Sequence, residues 1–397
     1  SQSKKKSSTL YDLELLKPGK KVPVGIIEGD ERSSEGLFLY EPTSTILKPI
    51  TVSQSKKDVA ILDIGFDTEY ISPKRLRKND GSLVRLDDDI PYNYLISTQF
   101  YVHYTELNHI DCLNDSEKAT QTIEEPIRWD GFLLHNPFRW NKSTITKEEV
   151  KANRISFADF IHIVLQTGIE KNLISTLPKE IQLFAHTNIA DLDKFSDLHE
   201  RRSEEQNELY CYLTQTRRSY SNKANFHLSV NGQDEESPTM KCIIGDTINL
   251  TPMSGSLRQV GEIVDAVYPN ENLKKLDLGF IEVNGKQVRA IENMSELAIQ
   301  NFDLFYRYAI QDARIPIFFI HKVRDIQRSL FLVEPDLGKS NLPPEKKEKA
   351  ANRFVKDFFS LYTLKSTLTK IGADYLKDVV WKNLRCKFYD YREVVTS

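Results

Sequence analysis

The chain has 397 residues, which is enough for two or three domains and a substantial core. Its composition is that of a globular protein, with 40% hydrophobic residues, 28% charged residues and a formal net charge of −3. This balance excludes a chain that is basic as a whole, so any nucleic-acid surface has to be a local patch. No stretch approaches the roughly 18 apolar residues of a membrane span, and we expect no membrane partner.

Cysteine usage and the N-terminal residues predict a cytoplasmic location. The start of the chain, residues 1–6, lacks the apolar region of a signal peptide. The four cysteines are isolated, which argues against a disulfide framework and a zinc site and fits a reducing compartment. They are Cys112, Cys211, Cys242 and Cys386.

Three regions are predicted along the chain. Residues 1–57 are expected to be a basic tail and a small β-rich region, because short apolar runs alternate there with Gly, Pro and Ser. Residues 58–320 alternate between strand-like and helix-like segments, which predicts an α/β fold. Residues 321–397 are basic and helical in pattern.

The first half of the α/β region contains its clearest strand. Residues 59–66 are mostly apolar and rich in β-branched side chains, which is typical of a buried strand. Residues 94–102 are its expected hairpin partner, and residues 106–150 are expected to be a polar excursion, an insertion. A helix over 155–174 and a buried strand over 181–185 follow.

The second half is predicted to end in a long helix. Residues 199–218 are charged and helix-like, 226–230 and 240–250 are β-like, and 256–264 are typical of a short helix. The long helix is expected over 295–315, with Pro316 as its terminator.

Acidic residues accompany two predicted strands and the long helix. Asp67 and Glu69 are two apart and would project together from the end of the strand over 59–66. Asp191 comes just after the strand over 181–185, and Tyr308 and Asp312 lie four apart on one helix face. Adjacent carboxylates repel, and a divalent cation is the usual remedy. The alternatives are a solvated strand end for the first pair and a helix N-cap for Asp191.

In chain order, these residues resemble the pattern of the DEDDy 3′→5′ exonucleases. The chain is most similar to the exonuclease domain of family B DNA polymerases of plasmid, phage or organellar type. Residues 66–70, 186–192 and 308–313 resemble the Exo I, Exo II and Exo III motifs, and residues 245–262 resemble the stretch between the last two. The resemblance spans about residues 58–320.

The resemblance implies an RNase H-like core, with a mixed central sheet flanked by helices, and a site for two Mg²⁺ or Mn²⁺ ions. Asp67 would bridge both ions, Glu69 and Asp312 would complete the first, and Asp191 would serve the second. Tyr308 would orient the attacking water. Hard cations of this kind take carboxylate oxygens, which this set of residues supplies.

Four further residues are candidate substrate contacts: Thr68, His186, Asn188 and Gln99. His186 and Ala190 depart from the common Exo II motif, which has an asparagine and an aromatic residue at these places. A structural role at the strand end is the alternative for His186, and packing within the strand is the alternative for Gln99.

Other polar residues close to the motifs are expected to have structural or solvent-exposed roles. Asp63 shares strand parity with Asp67, but within an apolar strand it is expected to be hydrogen-bonded. Asp246 is expected to support a turn or a ligand. Lys274 and Lys275 are expected to be solvated, with contact to a phosphate as the alternative.

The expected activity is hydrolysis of DNA, from single-stranded 3′ ends, to nucleoside monophosphates. An RNase D-like 3′→5′ exoribonuclease and a catalytically idle nucleic-acid-binding or interaction module are the alternatives. Residues 357–363 resemble a polymerase palm motif, but no D-T-D-S motif follows, and polymerisation is not predicted.

Overall fold

The computed structural model describes residues 37–40, 53–87, 89–108, 121–135, 142–196, 213–331 without 217, 224–225 and 230–238, 343–346, 349, 352, 362, 364 and 367–384. The strands in chain order are β1 (Leu37–Tyr40), β2 (Val59–Ile71), β3 (Arg85–Leu86), β4 (Tyr94–Leu107), β5 (Ile127–His135), β6 (Thr144–Ile145), β7 (Glu180–Ala185), β8 (Leu213–Gln215), β9 (Tyr220–Asn222), β10 (Phe226–Ser229), β11 (Thr239–Asp246), β12 (Phe280–Val283) and β13 (Lys286–Arg289). The α-helices are α1 (Lys147–Ala152), α2 (Phe157–Glu170), α3 (Ile189–Leu192), α4 (Leu257–Val267), α5 (Met294–Gln300), α6 (Phe302–Phe331) and α7 (Leu368–Leu384). Short 3-10 helices cover Pro73–Arg75, Thr247–Leu250, Pro252–Ser254, Pro269–Glu271 and Ala290–Glu292.

Seven strands form one mixed sheet in the order β1-β5-β4-β2-β7-β11-β10. The central strand β2 is antiparallel to β4 and parallel to β7, which in turn is parallel to β11. The hairpin pairing predicted between the first two strong strands is therefore confirmed. Helices pack on this sheet, and the predicted α/β class is confirmed.

Alternation along β2 sends its side chains to two different layers. Phe66 packs on the ring of Phe160 in α2, with ring centroids 6.0 Å apart, within the largest cluster of buried apolar side chains. Gly65 faces the opposite helix, α6. The face of β2 that carries Asp63, Asp67 and Glu69 is therefore the face that α6 covers.

The prediction of a polar excursion over residues 106–150 is wrong for residues 127–135, which form β5 of the central sheet. Polar side chains in this strand hid its pattern, but they have partners. The Trp129 indole Nε1 donates to the carbonyl of Val164 at 3.0 Å, and Arg128 pairs with Glu271 at 2.6 Å. A strand whose polar groups are satisfied by neighbouring elements can thus complete a buried sheet.

Two strands have positions in the fold that their sequence patterns do not indicate. β2 continues to Ile71, so Asp67 and Glu69 lie inside the strand and not beyond its end. β1 belongs to the central sheet, because Leu37–Tyr40 pairs in parallel with β5. The predicted domain boundaries at 57/58 and 320/321 remain a prediction, although α6 passes residue 320 without a break.

The long helix differs from its prediction in its interior and at its C-terminal end. Residues 295–315 are divided between α5 and α6 at Asn301, whose side-chain oxygen accepts a hydrogen bond from the backbone N–H of Leu304 at 3.1 Å. This is the arrangement of an N-cap. Pro316 lies inside α6 and does not end it, so the predicted terminator is wrong.

The remaining predicted elements mostly agree with the structure. α2, α4, β7 and β10 are confirmed in the positions expected from their patterns. The β-like segment expected over 240–250 is confirmed as β11 up to Asp246, whereas Thr247–Leu250 is a 3-10 helix. In the helix expected over 199–218, residues 213–215 are a strand, while 199–212 and 217 lie outside the described residues. The palm-like match at 357–363 also lies outside them, except for Tyr362. Among the described residues, no helix is both long and apolar enough to cross a membrane.

Candidate metal centre

A close approach of α6 to β2 builds the centre. A Cβ atom placed on Gly65 would lie 2.1 Å from the carbonyl oxygen of Ala313, so only glycine allows the helix to come this near. Asp312, next to Ala313 on α6, is thereby brought to Asp67 and Glu69 on β2. One carboxylate oxygen from each of these three residues lies within 4.8 Å of the others, close enough to hold a metal ion.

The three carboxylates have unfavourable surroundings for their charges. Burial raises the pKa of Asp67 well above its ordinary value, and the charges of Asp191, Glu69 and Asp312 raise it further. Burial also raises the pKa of Glu69 and of Asp312. The Asp312 oxygen Oδ1 is buried and has no hydrogen-bond partner. A cation would relieve both the mutual repulsion and the missing partner.

Asp191 is held beside the triad by Thr68. The backbone N–H and the hydroxyl of Thr68 donate to Asp191 Oδ1 at 3.1 and 2.7 Å. Burial raises the pKa of Asp191 to about 7, in spite of these hydrogen bonds and of the nearby charge of Lys194. Thr68, expected as a substrate contact, is a buried residue whose donors orient a candidate ligand.

Tyr308 lies one helical turn before Asp312, on the same face of α6, as its spacing predicts. Burial, together with the charges of Asp312 and Glu69, raises the pKa of Tyr308 far above its ordinary value. The phenol is therefore neutral and a hydrogen-bond donor at any physiological pH.

Lys275, which was expected to be solvated, belongs to the centre. Its ammonium contacts Asp312 Oδ2 and lies 4.6 Å from the centroid of the Tyr308 ring. Gln311 fixes this segment by donating to the carbonyls of Asn272 and Lys274 at 2.7 and 3.2 Å. Lys274, by contrast, is exposed and pairs with Asp265 at 3.6 Å. Adjacent lysines in a loop give no periodic signal that separates the two.

Gln99 positions Asp67 and does not face a groove. Its amide Nε2 donates to Asp67 Oδ2 at 2.6 Å, and its Oε1 accepts from the Ser97 hydroxyl at 2.9 Å. The side chain is fully buried, which agrees with the alternative of packing within the strand. Direct contact between Gln99 and a substrate stays a prediction without support from this placement.

His186 and Asn188 have different surroundings at the end of β7. His186 is partly exposed, with Nδ1 2.9 Å from the Thr247 hydroxyl, and burial lowers its pKa to about 4. Asn188 is buried, donates to the carbonyls of Tyr220 and Gly245, and accepts from the Tyr220 N–H. His186 thus remains open to a ligand, whereas the amide of Asn188 is occupied in holding the turn.

The structural roles expected for Asp63 and Asp246 are confirmed. Asp63 receives two hydrogen bonds from the Arg324 guanidinium at 2.7 and 3.0 Å, and both side chains are buried. Asp246 accepts from the backbone N–H groups of Thr187, Asn188 and Ile248 at 2.7–3.0 Å. Asp246 therefore fixes the turn that leads into Asp191.

A scan against protein-family models and a search of curated proteins found no match to the chain.

Proposed function

We propose that the chain is a metal-dependent 3′→5′ exodeoxyribonuclease with an RNase H-like core. The observation that carries this proposal is that Asp67 and Glu69 meet Asp312, about 240 positions later in the sequence. One carboxylate oxygen from each of the three lies within 4.8 Å of the others. Asp191 and Tyr308 stand beside them, so the residues of the DEDDy pattern meet in space. The mixed sheet flanked by helices supports the core that the same resemblance implies.

The residues fit a hard divalent cation. All candidate ligand atoms are carboxylate oxygens, which Mg²⁺ and Mn²⁺ prefer, and four carboxylates supply the negative charge that two such ions need. Asp67, Glu69, Asp312 and Asp191 would hold the two ions. When bound, ions of this kind supply a hydroxide nucleophile at neutral pH and stabilise charge on the attacked and departing oxygens.

Side chains around the centre orient its carboxylates and neutralise part of their charge. Lys275 donates to Asp312 Oδ2, and the other oxygen, Oδ1, is buried without a hydrogen-bond partner. Gln99 and Thr68 hold Asp67 and Asp191 through short hydrogen bonds, so these carboxylates are oriented before a ligand arrives. Tyr308, a neutral phenol, would donate to or orient the attacking water.

A strand of DNA with a frayed 3′ end is the proposed substrate, and nucleoside monophosphates are the products. Cytoplasmic location belongs to the same proposal. The test is digestion of 3′-labelled single-stranded DNA by the full chain with Mg²⁺ or Mn²⁺. We expect release of the labelled mononucleotide first, and an activity lower by about 10³-fold or more in the variant Asp67→Ala with Glu69→Ala.

Matched substrates and variants sharpen this test. Equal activity of the double variant and the wild type would remove the site assignment. Faster digestion of RNA of the same sequence would replace the DNA substrate with RNA, and no degradation of either would favour a binding module. The Tyr308→Phe variant should keep its metal affinity and lose roughly tenfold or more in kcat, since only the water-orienting hydroxyl is removed.

A further inference from the structure

Three cationic side chains surround one tyrosine ring on the surface next to the candidate metal centre. The ammonium groups of Lys147 and Lys151 lie 5.4 and 5.3 Å from the centroid of the Tyr92 ring. The guanidinium carbon of Arg154 lies 5.9 Å from the same centroid. Lys147 and Lys151 are one turn apart on the same face of α1, where like charges repel.

The start of α1 is fixed by its cap and its end is fixed to the sheet. Thr146 and Glu149 form a reciprocal capping box at the first turn, with hydrogen bonds of 3.2 and 2.9 Å. The Asn153 side chain donates to the carbonyl of Leu95 in β4 at 2.6 Å. The charged face of α1 is therefore held in place, and its lysines do not depend on a mobile loop for their position.

A continuous series of contacts joins this face to the carboxylates. Arg154 donates to the carbonyl of Asp193 at 2.6 Å, two residues after Asp191. The next residue, Lys194, has its ammonium 4.1 Å from the centroid of the Tyr70 ring. Tyr70 directly follows Glu69 in β2. We name this series the basic track; outward from the carboxylates its residues are Tyr70, Lys194, Arg154, Tyr92, Lys151 and Lys147.

In the basic track two cations follow each aromatic ring, while the chain as a whole has a formal net charge of −3. Arg154 and Lys194 are almost fully buried and supply positive potential from beneath, whereas Tyr92, Lys147 and Lys151 are partly exposed. Single-stranded nucleic acid offers regularly spaced phosphates and stacking bases, and its binding sites combine a positive groove with aromatic side chains. The track has this composition.

We propose that the basic track binds the phosphodiester backbone of the single DNA strand whose 3′ end enters the metal centre. The proposal rests on the proposed function for the direction of the strand, but binding itself can be measured without hydrolysis. Lys147 and Lys151 bind phosphates upstream of the scissile bond, and Tyr92 lies between them and the buried Arg154. An acidic peptide is the competing occupant of such a surface.

The test compares two double variants of the full chain in EDTA, where no digestion occurs. The probe is a fluorescein-labelled 20-nucleotide oligothymidylate, and its affinity is measured by anisotropy over a range of salt concentrations. Lys147→Gln with Lys151→Gln should weaken binding by about tenfold, and the slope of log K against log salt should become less steep by about 1.4, or about 0.7 for each lost phosphate contact.

The matched control is Lys370→Gln with Lys377→Gln. These two lysines lie on α7, where Ile371 packs in the same cluster as Val323 near the far end of α6. Asp312 and Val323 are eleven residues apart on α6, about 17 Å along a helix axis. We expect the control pair to bind the oligonucleotide within about twofold of the wild type, because it removes the same charge outside the track.

Three other outcomes would each overturn one of the proposals. Absence of binding by the wild type, or equal weakening in both double variants, overturns the basic track. Displacement of the oligonucleotide by polyglutamate as effectively as by unlabelled oligothymidylate assigns the surface to an acidic peptide instead. Selective weakening in a protein that digests no DNA with Mg²⁺ or Mn²⁺ leaves the track standing and overturns the nuclease proposal alone.

Discussion

Asp63 and Asp67 lie on the same face of β2, and their different partners on α6 give them opposite effects on stability. Asp63 meets the Arg324 guanidinium, which donates two hydrogen bonds to it in a buried site. Asp67 meets Asp312 and other acidic groups, which raise its pKa. Removal of one partner from a buried ion pair typically costs about 3–5 kcal/mol, because the other charge is left uncompensated. The carboxylates of the candidate metal centre repel one another, so their charges destabilise the folded state when no cation is bound.

The pH dependence of stability provides a test at Asp191. Its pKa is about 7 in the folded protein and 3.8 is its ordinary value, so the folded state binds the proton more tightly. The stabilisation is present below pH 4 and is lost as the pH rises towards 7. The Asp191→Asn variant keeps an oxygen for Thr68 and cannot ionise. In EDTA, its unfolding free energy should therefore rise relative to the wild type by up to about 1.4 kcal/mol per pH unit.

Denaturant unfolding at several pH values between 4 and 7 measures this difference. Burial lowers the pKa of His103, and partial burial lowers the pKa of His321 to about 4, so these histidines also contribute to the pH dependence of each protein's stability. Both proteins carry these histidines, and subtraction cancels their contribution. A difference that stays constant from pH 4 to pH 7 would show that the Asp191 carboxylate is not destabilised by its burial.

The sequence predicts the acidic residues of the candidate centre but not its basic residue, Lys275. The resemblance to the DEDDy pattern selects Asp67, Glu69, Asp312 and Tyr308, while strand and helix periodicity predicts only that each pair shares a face. Lys275 belongs to an irregular segment, and its position follows from the hydrogen bonds that Gln311 makes to backbone carbonyls. Contacts of that kind depend on the assembled fold and leave no pattern in the sequence.

The candidate centre depends on the close contact between β2 and α6. The Gly65→Ala substitution should destabilise the protein by about 3 kcal/mol or more, since the new methyl group would meet the Ala313 carbonyl. Activity should fall as well, because a displaced α6 carries Asp312 away from β2. Chemical denaturation and the DNA digestion assay measure the two effects.

Gly372→Ala is the matched control. Gly372 lies within α7, and a Cβ atom there would meet nothing within 4 Å. In a helix interior, alanine is favoured over glycine by about 1 kcal/mol, so this variant should be slightly more stable and fully active. If Gly65→Ala behaves in the same way, the close approach of α6 is not required for the centre.

The end predicted for α6 at Pro316 is wrong because the effect of a proline on its own helix is only one contribution to where that helix ends. Proline has no backbone N–H and usually ends or bends a helix, which is why residues 295–315 were expected to stop before Pro316. Beyond it, Ile317, Phe318, Ile320 and Val323 are all buried against the sheet or α7. Burial of this many apolar side chains outweighs the loss of one hydrogen bond, and a local propensity rule cannot weigh that sum.

For the molecule as a whole, bound metal should appear as added stability. An ion that binds only the folded state raises the unfolding free energy by about 2.7 kcal/mol at a concentration one hundred times its Kd. We expect Mn²⁺ to raise the Tm of the wild type in a concentration-dependent manner and to leave Asp67→Ala with Glu69→Ala nearly unchanged. Differential scanning calorimetry measures both, and equal shifts in the two proteins would place the ion elsewhere.

The sheet illustrates how much of the whole fold its sequence predicts. Alternation of strands and helices correctly indicates an α/β fold, and β2, β4 and β7 are apparent from their apolar runs. β5 is not, because Arg128 and Asp130 interrupt its apolar pattern and need partners from distant elements. The addition of β1 beside β5 depends on pairing across about 90 residues, which no local pattern encodes.

The separation of Glu69 from Asp312 by about 240 positions has a consequence for biosynthesis. At about 5–20 residues per second, a ribosome needs about 12–50 s to proceed from the first carboxylates of the centre to the last. During that time β2, β4 and β7 can already pair, but the face that α6 will cover has only part of its acidic residues. A nascent chain therefore cannot assemble the triad until α6 has been made, so the proposed nuclease activity would be absent while the chain is still on the ribosome.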